Sequence, residues 1–96
     1  MSIASTIIKY CENKDDIKEE TKATYIKHAE RFGVKQIDKM SYNYMSKKLN
    51  SCFGSSASSQ LQGVHILLIA TKETKPRIFE KLLRLNKQLK EDKDDG

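Results

Sequence analysis

Residues 61–89 read LQGVHILLIATKETKPRIFEKLLRLNKQL, and the architecture of the chain turns on what this stretch does. Its first half, His65-Ile66-Leu67-Leu68-Ile69-Ala70, is apolar nearly all round a helical wheel. That pattern suits a helix buried on every side, and it suits a buried strand equally well, since periodicity alone does not separate the two over six residues. The second half is sharper. Ile78, Leu82, Leu85 and Leu89 step by four, three and four residues, with Phe79 and Leu83 widening the seam. A helix starting near Thr74 tolerates Pro76 in its first turn, where a missing N–H is harmless. Arg77, Lys81, Arg84, Lys87 and Lys90 lie largely off the seam, and two heptads are too few for a coiled coil, so the seam is expected to pack on the chain's own core. With helices on both sides of Glu73–Pro76 the fold is mainly α, a compact bundle of four to five short helices. The alternative is a winged-helix α+β fold, with Leu68–Lys72 and Arg77–Glu80 paired as a hairpin over residues 68–80.

Upstream, the spacing predicts three more helices. Ser2 to about Glu12 carries Ile3, Ile7 and Tyr10 at helical steps, with Ala4, Ile8 and Cys11 one step round, and Asn13-Lys14 ends it. Asp16 with Glu19 three residues on has capping-box spacing and opens a helix with the stripe Ile17, Thr21, Tyr25, Ala29 and Phe32, closed by Gly33. Ser41 is the expected cap of a third helix, with Met40 and Met45 as a staple across it and Met45, Leu49 and Cys52 on one face before Phe53-Gly54. A fourth helix follows the serines at 55–59, with Ala57, Leu61, Val64 and Leu68 on one face. Residues 1–89 thus read as one helical domain and 90–96 as a disordered charged tail.

Ninety-six residues support one core of about a dozen apolar side chains and leave little room for a deep catalytic pocket besides. The net charge is +5; without the acidic tail Lys90–Asp95 the rest carries 16 bases against 9 acids, or +7. Between Asp38 and Glu73 there is no acidic residue, while Lys39, Lys47, Lys48 and Lys72 fall there together with Ser51, Ser55, Ser56, Ser58 and Ser59. An acid-free run of lysines and hydroxyls repels no phosphate and offers it several donors. The plain reading of the same run is a solvated lysine-rich surface.

Catalytic and metal-binding patterns are missing. No phosphate loop, HExxH or paired-cysteine spacing occurs, and His28 and His65 have no partner at ligand spacing. The expectation is therefore no enzyme, no cofactor, no metal and no small-molecule substrate. Cys11 and Cys52 read as small buried side chains rather than a disulfide framework. Ile7-Ile8, interrupted by Lys9-Tyr10, is too short for a signal peptide, and Ile66–Ala70 is far short of a membrane span. The location expected is cytoplasmic, or nuclear in a eukaryote, with no membrane partner.

The order Ile7-Ile8-Lys9-Tyr10, Thr21-Lys22-Ala23-Thr24-Tyr25 reaching Phe32-Gly33, Ile37-Asp38-Lys39-Met40-Ser41 into Met45–Leu49, then Ser55–Ser59 into Leu61–Ala70, resembles the core-binding, SAM-like domain of tyrosine recombinases and phage integrases. The resemblance covers roughly residues 3–72. It implies a DNA-gripping helical bundle, of phage or mobile-element type, whose second and fourth helices face the duplex. The family's catalytic domain has no counterpart here, so cleavage and religation do not carry over. Read from their own chemistry, Thr21 and Lys22 can reach phosphates, Ser55, Ser56, Ser58 and Ser59 offer hydroxyls and helix N-terminal N–H groups, and Gln60 can read a base edge in a bidentate way. With Lys47, Lys48 and Lys72 these are the residues expected to contact double-stranded DNA. The competing expectation is a small inhibitor or adaptor of phage type, gripping a protein partner or a second copy of itself through Ile78, Leu82, Leu85 and Leu89.

Overall fold

The computed structural model describes residues 1–95, and in it the hairpin alternative fails: residues 68–80 are helix, turn and helix. The Thr71 and Thr74 hydroxyls donate back to the carbonyls of Leu67 and Ala70 at 2.7 and 2.8 Å, which satisfies the end of one helix. Pro76, with no N–H for a strand ladder, occupies the first position of the next. The five helices are α1 (Ile3–Glu12), α2 (Glu19–Glu30), α3 (Tyr42–Phe53), α4 (Ala57–Thr71) and α5 (Pro76–Asp95), with a single 3-10 turn at Ile37–Lys39. The chain is a small all-α bundle, and the one bridge among the described residues joins Ser2 to Gln36. That bridge, with the Ile37 N–H donating to the Met1 carbonyl at 2.8 Å, ties the start of the chain to the link before α3.

Helix α4 runs through the middle and packs on α1, α2, α3 and α5, its longest seam being the antiparallel one with α5. Its buried stripe is Gly63, Ile66, Leu67 and Ala70, with Val64 and Thr71 alongside. This differs from the expected face of Ala57, Leu61, Val64 and Leu68, of which only Val64 is fully buried. A helix apolar on all sides has no face that periodicity can single out, and neighbours on four sides decide. Gly63 is where α3 comes closest: a Cβ there would lie 2.5 Å from the Leu49 side chain and 2.9 Å from the Phe53 ring.

The caps follow the sequence in three helices. Ser2, Ser41 and Ser56 each accept the N–H three residues on, from Ser5, Tyr44 and Ser59. The expected Asp16 cap is not used; α2 starts two residues later, with Lys18 extended at its N-cap and no side-chain bond. Glu19 and Glu20 in its first turn supply the favourable charge instead. Gly54, at φ of 80°, is the C-cap of α3, and Gly33, at φ of 81°, follows the Arg31-Phe32 turn after α2.

In α5, Leu82 is 0% and Leu89 6% exposed, and Ile78 and Leu85 pack half-buried on the same core. The helix then continues through the residues read as a disordered charged tail, Lys90 to Asp95, while Gly96 lies outside the described residues. Lysines and acids are tolerant helix residues, and Gln88 donates to Asp92 one turn on at 3.1 Å.

Candidate nucleic-acid interface

The acid-free run becomes a surface because α3 lies at the outside of the bundle. Met45, Leu49 and Phe53 face the core, which leaves Asn43, Lys47 and Ser51 pointing to solvent. The flanks of this face carry two half-buried tyrosines with cations beside them. Lys35 Nζ sits 4.2 Å and Lys48 Nζ 5.9 Å from the centre of the Tyr44 ring. On the other flank Lys81 Nζ, from α5, lies 5.6 Å from the Tyr42 ring. Such contacts contribute about 0.5–1 kcal/mol each at exposed sites and place the ammonium groups without neutralising them. Among the described residues the one ion pair is Lys22 with Glu19, at 4.0 Å. Lys35, Lys47, Lys48 and Lys81 thus stand around one helix with no acidic partner among the described residues.

The corner between α3 and α4 adjoins this face. Ser56 caps α4, Ser55 and Ser58 expose their hydroxyls, and Ser59 is half-buried. Gln60 departs from expectation. Its amide nitrogen donates to the Gly54 carbonyl at 2.8 Å and to the Asn50 side chain, so it welds the corner together. With its donors engaged it cannot read a base bidentately from this position.

The ten residues expected to face DNA do not form one surface. Lys47, Lys48 and the serines meet at α3 and the α3–α4 corner. Lys72 lies at the opposite end of α4, about 24 Å away by helical rise. Thr21 and Lys22 sit in the first turn of α2, which runs antiparallel to α4, and so belong to the Lys72 end as well. The expected partner seam is also corrected: Leu82 and Leu89 are buried against the chain's own core, which leaves no free leucine stripe to grip another molecule. Lys35, Lys81 and the two tyrosines were not foreseen as a unit. The interleaving of Tyr42, Tyr44, Lys47 and Lys48 was visible, but Lys35 and Lys81 arrive only by tertiary packing.

The histidines and cysteines lie away from this face, packed against other helices. His65 Nε2 is 3.2 Å from the Tyr25 hydroxyl, and His28 packs edge-on against Phe53. Partial burial holds both imidazoles below the ordinary histidine range, with Lys90 adding to the effect at His65, and Arg31 and Lys27 at His28. Cys11 is buried, which pushes its thiol up despite the opposing charge of Lys22. Cys52 donates to the Arg31 carbonyl at 3.2 Å and staples α3 to the end of α2. No group of histidines, cysteines and acids with metal-holding geometry occurs among the described residues, and no helix there is long and apolar enough to cross a membrane. No family model, curated protein or solved structure matches the chain.

Proposed function

We propose that this chain is a non-catalytic module that binds nucleic acid, in the first place double-stranded DNA, by gripping the phosphate backbone with α3 and the α3–α4 corner. One observation carries the reading: Lys35, Lys47, Lys48 and Lys81 surround a helix on a 34-residue stretch without acids, and among the described residues none of them is in an ion pair. Phosphate contacts from lysines and serine hydroxyls position a protein on a duplex and carry no sequence information. With Gln60 occupied, the geometry favours backbone binding over base readout. The resemblance to recombinase core-binding domains supports the same partner class, although it directs attention to α2 and α4. Such a module acts wherever the DNA is, in the cytoplasm or a nucleus.

The test is a titration of the chain onto short labelled duplex and single-stranded DNA across a salt series. Four neutralised phosphates give a slope of log affinity against log salt of about −3.6 on a duplex. Absence of binding at low salt would end this reading.

A further inference from the structure

A second surface is formed by α1, α4 and α5, with no α3 residue in its lining. The C-terminal half of α4 forms the floor of an open groove of about 990 Å³, walled by α1 on one side and α5 on the other. Leu68 and Ile69 lie on the floor, Tyr10 on one wall, and Phe79 and Leu83 on the other. Leu83 is 45% exposed, and Met1, at the mouth, is 57% exposed. Leu68 and Ile69 are left half-buried here, whereas Ile66, Leu67 and Ala70 of the same helix are fully buried. Apolar side chains gathered in one concave surface mark an interaction site, where scattered single ones do not.

The rim is basic. Lys9 projects from α1, Lys14 from just beyond its C-cap and Lys72 from the end of α4, all exposed and, among the described residues, none in an ion pair. Lys14 rests 5.6 Å from the Tyr10 ring centre. Two acids, Asp38 and Glu73, also line the groove, and at that end Lys75 donates to the Asp38 carbonyl at 2.8 Å.

We propose that this groove docks an amphipathic helix of a partner protein, with its apolar stripe on Leu68, Ile69 and Leu83 and acidic side chains against Lys9, Lys14 and Lys72. A trough between two helices over a third is the shape that a further helix fills by ordinary packing. The cationic rim selects the sign of the flanking charge. This site shares no residue with the α3 surface, so either can stand without the other.

The test uses the whole chain and a labelled helical peptide of about 16 residues, about 24 Å long, with a leucine stripe and glutamates beside it. A twin with lysines for glutamates and phosphatidylserine vesicles are the comparison probes. The glutamate peptide is expected to bind saturably, at least about tenfold more tightly than its twin. Amide NMR shifts should concentrate at Lys9, Leu68, Ile69, Lys72 and Leu83. Lys9→Glu with Lys72→Glu should weaken binding about tenfold or more while circular dichroism and melting stay unchanged, and Leu83→Glu should do the same. Lys47→Ala with Lys48→Ala should leave peptide binding untouched, which separates this site from the DNA reading. Equal binding of both peptides, shifts on another face, or no binding at about 1 mM peptide would overturn the proposal. Groove-dependent binding to the vesicles and not to the peptide would overturn it too.

Discussion

Gly63 does at the scale of one residue what no helix propensity favours. It sits inside α4 so that α3 can approach, and an added methyl would meet Leu49 and Phe53 at 2.5 and 2.9 Å. Relief from glycine in a helix contributes about 1 kcal/mol, whereas overpacking a tight core costs about 1–3 kcal/mol. Gly63→Ala is therefore expected to destabilise by about 1 kcal/mol and lower the melting temperature by about 5 °C, read by a thermal melt. A rise in melting temperature would mean that the α3–α4 contact is looser than described. Histidine protonation is the other residue-scale test. His28 and His65 are held below the ordinary value in the fold, so the unfolded chain binds more protons as the pH falls below about 6.5. Stability is then greatest above that pH and declines as the pH drops toward the folded-state values. Melting temperatures at about pH 7.5 and about pH 5 should show the decline, and His28→Gln with His65→Gln should shrink the histidine share of it. Other titrating groups contribute their own slope, so the difference between the variant and the parent chain is the quantity to read. Neither histidine's partner was legible beforehand: Tyr25 and Phe53 stand 40 and 25 positions away along the chain.

Helices were the most legible part, and for a physical reason. Caps and stripes are local, so Ser2, Ser41, Ser56, Gly33 and Gly54 announced boundaries that the structure keeps. Two failures mark where locality ends. Asp16 had the right chemistry for a cap, yet α2 begins after Lys18. The face of α4 could not be chosen, because packing on all sides chose it. The leucine seam of α5 packs on the chain's own core, as its spacing suggested, and forms half of the α4–α5 contact; the competing reading of it as a partner surface finds Leu82 and Leu89 buried. Leu82→Ala should accordingly cost about 2–5 kcal/mol, a large share of the stability of a domain this size, measured by urea unfolding. A loss below about 0.5 kcal/mol would place the seam at the surface after all. Ser56→Ala, which removes one cap at the corner, should cost about 1 kcal/mol by the same measurement.

Taken whole, the molecule has two exposed basic regions that the linear charge pattern merged into one. The run from Lys39 to Lys72 contains no acid, but α4 carries its end about 24 Å from the α3–α4 corner. Lys47 and Lys48 thereby join Lys35 and Lys81, while Lys72 joins Lys9 and Lys14 at a groove. The radius of gyration is 12.8 Å, close to the roughly 12.5 Å of a compact chain of this length, so the two surfaces are different faces of one body. What the sequence could not carry was this partition, since it depends on which ends of antiparallel helices lie together. In the proposed reading α3 and its corner hold the phosphates. The measurement that tests it most directly is duplex DNA affinity against salt for two double variants, Lys47→Ala with Lys48→Ala and Lys22→Ala with Lys72→Ala. The first pair is expected to lower the salt slope by about 2 and weaken binding, while the second leaves the slope within about half a unit of the parent chain. An unchanged slope in the first pair, or an equal loss in both, would contradict it.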